Sequence, residues 1–185
     1  LGAAVTSVPS AVKASSNYAQ KWTYSNEENY FGSYRAEYDL TDAVTAYAAY
    51  GFRHGEERNS LANLTLSNAS TGDSTFYRFD NARVDMVNTG EIGLRTKLNT
   101  GDISHQFVLA ASAFQLNSRN AYIMDFANQY TNNLYMPVQY DQPLATSPVY
   151  SGNELNSPKL TTRTRLRSIA IGDNLKALDD RLNLM

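Results

Sequence analysis

From Tyr30 to Arg53, and again from Arg83 to Leu98, the chain repeats every two residues. Tyr30, Gly32, Tyr34, Ala36, Tyr38 and Leu40 alternate with Phe31, Ser33, Arg35, Glu37 and Asp39. After Thr41-Asp42 the same rhythm resumes, with Val44, Ala46, Ala48, Tyr50 and Phe52 against Thr45, Tyr47, Ala49, Gly51 and Arg53. The third run is the clearest. Val84, Met86, Gly90, Ile92, Leu94 and Leu98 share a parity that Asn88 interrupts, and Arg83, Asp85, Thr89, Glu91, Arg95 and Lys97 hold the other. Side chains point alternately across a strand, so each run makes a strand with two distinct faces, one apolar and one charged in the first and third. An isolated helix fits poorly, because the charges recur every two residues rather than every three or four.

The connections constrain the topology further. Thr41-Asp42 is tight, a longer stretch runs from about Gly55 to Phe79, and Asn99-Thr100-Gly101-Asp102 is tight again. An irregular stretch then spans roughly Tyr122 to Thr162, and a third tight connection is expected near Ala177 to Asp180. Short and long connections alternating in this way describe an antiparallel up-and-down meander. Transmembrane β-barrels have that asymmetry, with short periplasmic turns and longer extracellular loops. Residues 106–119 are apolar on both parities through Phe107-Val108-Leu109-Ala110-Ala111, so their faces stay open. The run 164–175 places Arg165 and Arg167 on the parity of Ile169 and Ile171, and its faces stay open too.

The runs exceed the roughly 9–11 residues that a tilted strand needs to cross hydrocarbon. Five strands and the start of a sixth at Leu182 and Leu184 fall short of the eight in the smallest bacterial barrels. The 185 residues therefore read as one partial domain, 1–185, cut from a larger barrel. Tyr-rich alternating strands with polar connections also suit a soluble extracellular β-sandwich binding module, an adhesin or glycan binder, and that alternative stays open here.

Composition narrows the function. The net charge is −2 and no basic run stands out, so nucleic acid is not an expected partner. There is no Cys, which removes disulfide scaffolds and thiolate metal sites. His54 and His105 are the sole imidazoles. His54 lies in the charged run Arg53-His54-Gly55-Glu56-Glu57, and His105 follows a tight turn. Ser10-Ala11-Val12-Lys13 has an acyl-enzyme spacing without the accompanying motifs. No catalytic and no metal residue is assigned, and an enzyme is not expected. Asn63-Leu64-Thr65 and Asn68-Ala69-Ser70 are glycosylation sequons in form alone.

Four motifs carry a resemblance. Arg35-Ala36-Glu37-Tyr38-Asp39-Leu40-Thr41-Asp42 forms a strand and turn, and Lys97-Leu98-Asn99-Thr100-Gly101-Asp102-Ile103-Ser104-His105-Gln106-Phe107 forms a hairpin. Asn133-Leu134-Tyr135-Met136-Pro137-Val138 follows in a loop, and Ile169-Ala170-Ile171-Gly172-Asp173-Asn174-Leu175 in a strand, with Gly172 where Gln is usual. In this order they resemble the middle of the barrel in TonB-dependent outer-membrane siderophore receptors of the ferrichrome type, over about residues 22–185.

The resemblance implies an all-β, 22-stranded transmembrane barrel, filled by a plug domain that this segment lacks. It implies uptake of ferric siderophores of hydroxamate type at the bacterial outer membrane. The implied partners are the siderophore, outer-membrane lipid, the plug with the remaining strands, and the TonB complex through the plug. No cofactor is implied, because iron arrives already coordinated by the siderophore. By position in the loops, the residues implied to contact it are Trp22 and Tyr24, then Phe76 and Tyr77, then Tyr122, Phe126 and Tyr130. Aromatic faces and a few hydrogen bonds suit such a ligand better than metal-ligating side chains. The charges Arg35, Glu37, Asp85, Glu91, Arg95 and Lys97 are expected to pair on the inner wall or bond to the plug, each cross-strand pair contributing ~0.2–1 kcal/mol.

Overall fold

The computed structural model describes every residue except Ala4, Ser16, Asn17, Asp179, Asp180 and Met185. Eight strands form one sheet: β1 (Tyr24–Thr41), β2 (Val44–Leu66), β3 (Asp73–Thr100), β4 (Ile103–Met124), β5 (Tyr130–Asn133), β6 (Val149–Ser151), β7 (Lys159–Ala177) and β8 (Leu182–Leu184). The order β1-β2-β3-β4-β7-β8 is an up-and-down meander, with β5 added to β3 and β6 to β4. No helix long and apolar enough to cross a membrane occurs among the described residues, which leaves crossing by strands untouched.

Two expectations are corrected. The stretch from Gly55 to Phe79 is not a loop: β2 runs on to Leu66, β3 begins at Asp73, and only Ser67–Gly72 joins them. The stretch from Tyr122 to Thr162 likewise holds the end of β4, the short strands β5 and β6, and the start of β7. Both extensions carry polar residues on each face, so the period of two fades there although the hydrogen-bonded ladder continues. The third tight connection includes Asp179 and Asp180, which lie outside the described residues.

The tight turns follow from their residues. The Thr41 hydroxyl accepts the amides of Ala43 and Val44, at 3.2 and 3.1 Å, and closes the β1–β2 connection. Gly101 takes φ 63°, the left-handed conformation that a two-residue hairpin turn requires.

By contacts the chain divides into two units, one of Leu1–Glu28, Gly55–Val84 and Arg119–Thr161, the other of Asn29–His54, Asp85–Ser118 and Thr162–Met185. The second unit shows the two faces plainly. Tyr34, Tyr38, Ile92, Ile169 and Ile171 are all exposed, the last two by 78% and 79%. A contiguous apolar surface of this kind on a sheet marks lipid or a partner. Asn88 lies on it, and its carbonyl oxygen accepts the Tyr50 hydroxyl at 2.5 Å.

On the opposite face, Glu37 pairs with Arg35 at 2.8 Å and with Arg95, reaching past β2 to β3. Tyr47 fills the space between the two guanidiniums, whose carbons lie 4.6 and 5.6 Å from the centre of its ring. Gly93 leaves room for that ring, because a Cβ there would come within 2.5 Å of it.

The faces that were open in the sequence are resolved. Gln106 and Val108 share a hollow with Asp39, Thr45, Arg95 and Lys97, and the Ser112 and Ser168 hydroxyls meet at 2.7 Å. Leu109, Ile169 and Ile171 stand exposed on the other parity. Even positions of β4 and β7 therefore join the polar face. His105 lies on the apolar parity, bonded through Nδ1 to Asp173 at 2.8 Å and stacked on Phe107 at 5.3 Å, a structural setting.

Candidate functional site

The first unit holds six of the seven aromatics expected to meet ligand in ring groups, and it sorts them onto two faces. Even positions of β3 carry one group. Phe76 pairs in register with Tyr130 of β5, and their rings stack at 5.4 Å. Trp22 lies 6.4 Å from the Phe76 ring, and Tyr140 meets it edge-on at 5.7 Å. Phe76 is only 1% exposed, so this group is the core of the unit.

Polar bonds hold the covering segment in place. Gln20 donates from Nε2 to the Val138 carbonyl at 2.8 Å and accepts the Tyr140 amide at 2.9 Å. Beside the rings, the Ser60 hydroxyl donates to buried Asp80 at 2.6 Å, Arg78 pairs with Asp80 at 2.9 Å, and Arg78 also donates to the Pro143 carbonyl. The Asn133–Val138 motif is part of this covering. Asn133 Oδ1 accepts the amides of Tyr135 and Met136, and Asn132 Oδ1 accepts that of Val138. The Tyr135 hydroxyl donates to the Ala69 carbonyl at 2.7 Å and accepts the Ser10 amide at 3.0 Å.

Odd positions of β3 carry the second group, on the parity that bears the charges farther along the strand. Tyr77 and Phe126 lie 4.8 Å apart, and Phe79 and Tyr122 5.8 Å apart. Phe126 is 46% exposed, while Tyr77 and Tyr122 are half-buried. Buried Asp125 fixes the turn that presents Phe126: it accepts the Asn128 side-chain amide through both oxygens and the Thr146 backbone amide at 3.1 Å.

An asparagine series runs among these rings. Asn63 donates to the Tyr77 hydroxyl at 2.6 Å. Asn59 donates to Asn81 Oδ1 at 3.3 Å, Asn81 to Asn120 Oδ1 at 2.7 Å, and Asn120 to the Tyr122 hydroxyl. Amides and phenols dominate this wall, and its chemistry is stacking plus neutral hydrogen bonding. No cluster of three or more carboxylate or imidazole metal ligands occurs among the described residues.

The seven expected residues thus divide. Trp22, Phe76 and Tyr130 pack together, Tyr77, Phe126 and Tyr122 line the opposite face, and Tyr24 stands apart, 47% exposed at the start of β1. Phe76, Tyr77, Tyr122 and Tyr130 belong to strands rather than loops. Tyr140, Phe79 and the asparagines went unnoticed in the sequence. Their signal is the β2–β3–β4 register, which puts Asn59, Asn81 and Asn120 side by side and is invisible while those residues read as loop.

No protein-family profile matches the chain. The chain is similar to the ferrichrome receptor FcuA of Yersinia enterocolitica, 29% identical over 180 residues that make up 97% of this chain and 23% of that protein. Among solved structures it resembles BauA, the ferric preacinetobactin receptor of Acinetobacter baumannii, with a TM-score of 0.77 and 23% identity over 95% of this chain and 26% of that one. The chain spans about a quarter of the length of either protein. The meander, its two-faced strands and this pair of likenesses agree: the chain has the fold of a β-barrel segment and is similar in sequence to part of a siderophore receptor.

Proposed function

We propose that this segment belongs to an outer-membrane receptor that takes up ferric siderophores of the hydroxamate type. Transport is driven by TonB through a plug domain carried elsewhere in the protein. The observation that carries this reading is the 29% identity to a ferrichrome receptor across 97% of the chain. The wall of Tyr77, Phe79, Tyr122 and Phe126 supports the ligand class. A ferric tris-hydroxamate is electrically neutral, since three monoanionic groups balance Fe³⁺, and it offers apolar faces with carbonyl acceptors. Rings and amides meet such a surface without needing a cluster of cations. The exposed apolar face of the second unit is then the lipid contact, and the Arg35–Glu37–Arg95 network lies on the inner wall.

The test is uptake of radiolabelled ferrichrome by iron-starved cells whose own receptors are deleted and which express the full-length gene. Accumulation that stops when TonB is deleted is expected. A full-length product that folds as a soluble monomer without detergent would overturn the reading. So would accumulation independent of TonB.

A further inference from the structure

We propose that Tyr122 presents its phenolic proton to an acceptor oxygen of the ligand, and that Asn81 and Asn120 are positioning residues that aim it. This rests on the siderophore reading above and adds the polarity of one hydrogen bond to it. Asn81 Nδ2 lies 3.4 Å from the carbonyl oxygen of Ala121, and a carbonyl only accepts. The orientation of the Asn81 amide is therefore fixed by the backbone rather than by choice of rotamer label. The same Nδ2 donates to Asn120 Oδ1 at 2.7 Å, which fixes the second amide in turn. Asn120 must then direct its own Nδ2 to the Tyr122 hydroxyl, so the phenol oxygen is the acceptor in that bond.

Asn59 strengthens the series at its origin, because its Nδ2 donates both to the Glu57 carboxylate and to Asn81 Oδ1 at 3.3 Å, and a reversed Asn81 would set two amide donors against each other. Asn81 and Asn59 are 7% and 8% exposed, so water competes little for these bonds. A hydroxyl that accepts from an amide keeps its proton for another partner. Among the described residues no acceptor is bonded to the proton of Tyr122. The ring is half-buried, tilted against that of Phe79 at 5.8 Å. An amide donating to the phenol also makes its proton a better donor, since hydrogen bonds in series polarise one another. The matching ligand group is an oxygen acceptor such as a hydroxamate or peptide carbonyl of the chelate.

Binding of ferrichrome and of ferric enterobactin to the full-length receptor in detergent, followed by quenching of tryptophan fluorescence, tests this. Tyr122→Phe keeps the ring and removes the proton. Asn120→Asp keeps the shape but turns the neighbour into an acceptor, which draws the proton inward while still accepting from Asn81. Each variant is expected to weaken ferrichrome binding by about 5- to 30-fold, the worth of one hydrogen bond whose partner is left unsatisfied. In the Tyr122→Phe background, Asn120→Asp is expected to add less than about 2-fold, because the proton it would redirect is gone. Wild-type affinity in Tyr122→Phe overturns the inference and leaves the siderophore reading intact, as do independent, multiplying losses in the double variant. A wild-type receptor that binds neither chelate overturns both. Heat-modifiable migration of each variant shows that the barrel is folded, so a loss of binding is not a loss of fold.

Discussion

Asn88 interrupts an otherwise apolar row of Met86, Gly90, Ile92 and Leu94, and Tyr50 on the neighbouring strand is what makes it tolerable. On the proposed reading, in which this face meets lipid, an amide there costs several kcal/mol unless it is bonded. The Tyr50 hydroxyl supplies a donor to Asn88 Oδ1 while its ring adds to the apolar surface. Tyr50→Phe removes that donor and is expected to destabilise the folded full-length protein by about 1–3 kcal/mol. Adding Asn88→Leu removes the orphaned amide and is expected to recover most of the loss. Urea unfolding in micelles measures both. A Tyr50→Phe protein as stable as wild type would show that Asn88 is satisfied by solvent. Tyr47 and Gly93 show the same dependence between neighbours on the other face, where a missing Cβ admits a ring.

At the scale of elements, the 133–138 motif acts as a clasp. Asn133 accepts the Tyr135 and Met136 amides at 2.9 and 3.0 Å and donates to the Thr71 carbonyl at 2.9 Å, so one side chain ties the covering segment to the β2–β3 turn. Gly72 lies against it with φ 81°, where a Cβ would sit 2.6 Å from the Tyr135 ring. Asn133→Ala is expected to free the segment after β5 without unfolding the sheet, since the β3–β5 pairing does not need that side chain. Limited proteolysis should then cut between Leu134 and Tyr140 at least ten times faster than in wild type, with heat-modifiability unchanged. An unaltered cleavage rate would assign the clasp to Gln20 and Asn132 instead.

The same elements show what the sequence displays and what it hides. From Tyr30 to Arg53, and again from Arg83 to Leu98, the two parities differ in character, so the period of two exposes strand and face together. From Gly55 to Val84 the strands continue with buried Ser60, Asp80 and Asn81, and polar residues on both faces erase the period. The aromatics were legible by kind and by loop position. Their division between a packed group and an open wall depends on strand parity that could not be counted before the strands were known. The asparagine series needs three registers at once, and no local pattern announces it.

For the whole molecule, the choice between a membrane barrel and a sandwich comes down to what covers the apolar face. The sheet is open from β1 to β8, and the tyrosine and isoleucine side chains of the second unit have no covering layer among the described residues. These 185 residues contain no cysteine, so a single cysteine introduced here, with any cysteine elsewhere in the full-length protein replaced, takes a nitroxide label at one known position. In reconstituted vesicles, labels at Ile92, Leu109 and Ile171 are expected to collide readily with molecular oxygen, which concentrates in hydrocarbon, and poorly with a water-soluble nickel chelate. Labels at Glu91, Ser112 and Ser168, on the polar face, should reverse the ratio unless the plug covers them, and then both collision rates fall together. A second protein layer over the apolar face would suppress oxygen collisions at Ile92, Leu109 and Ile171 and identify a sandwich. Lipid contact needs high oxygen accessibility on all three strands at matched depth, because β3, β4 and β7 are successive neighbours in the sheet and share one apolar surface.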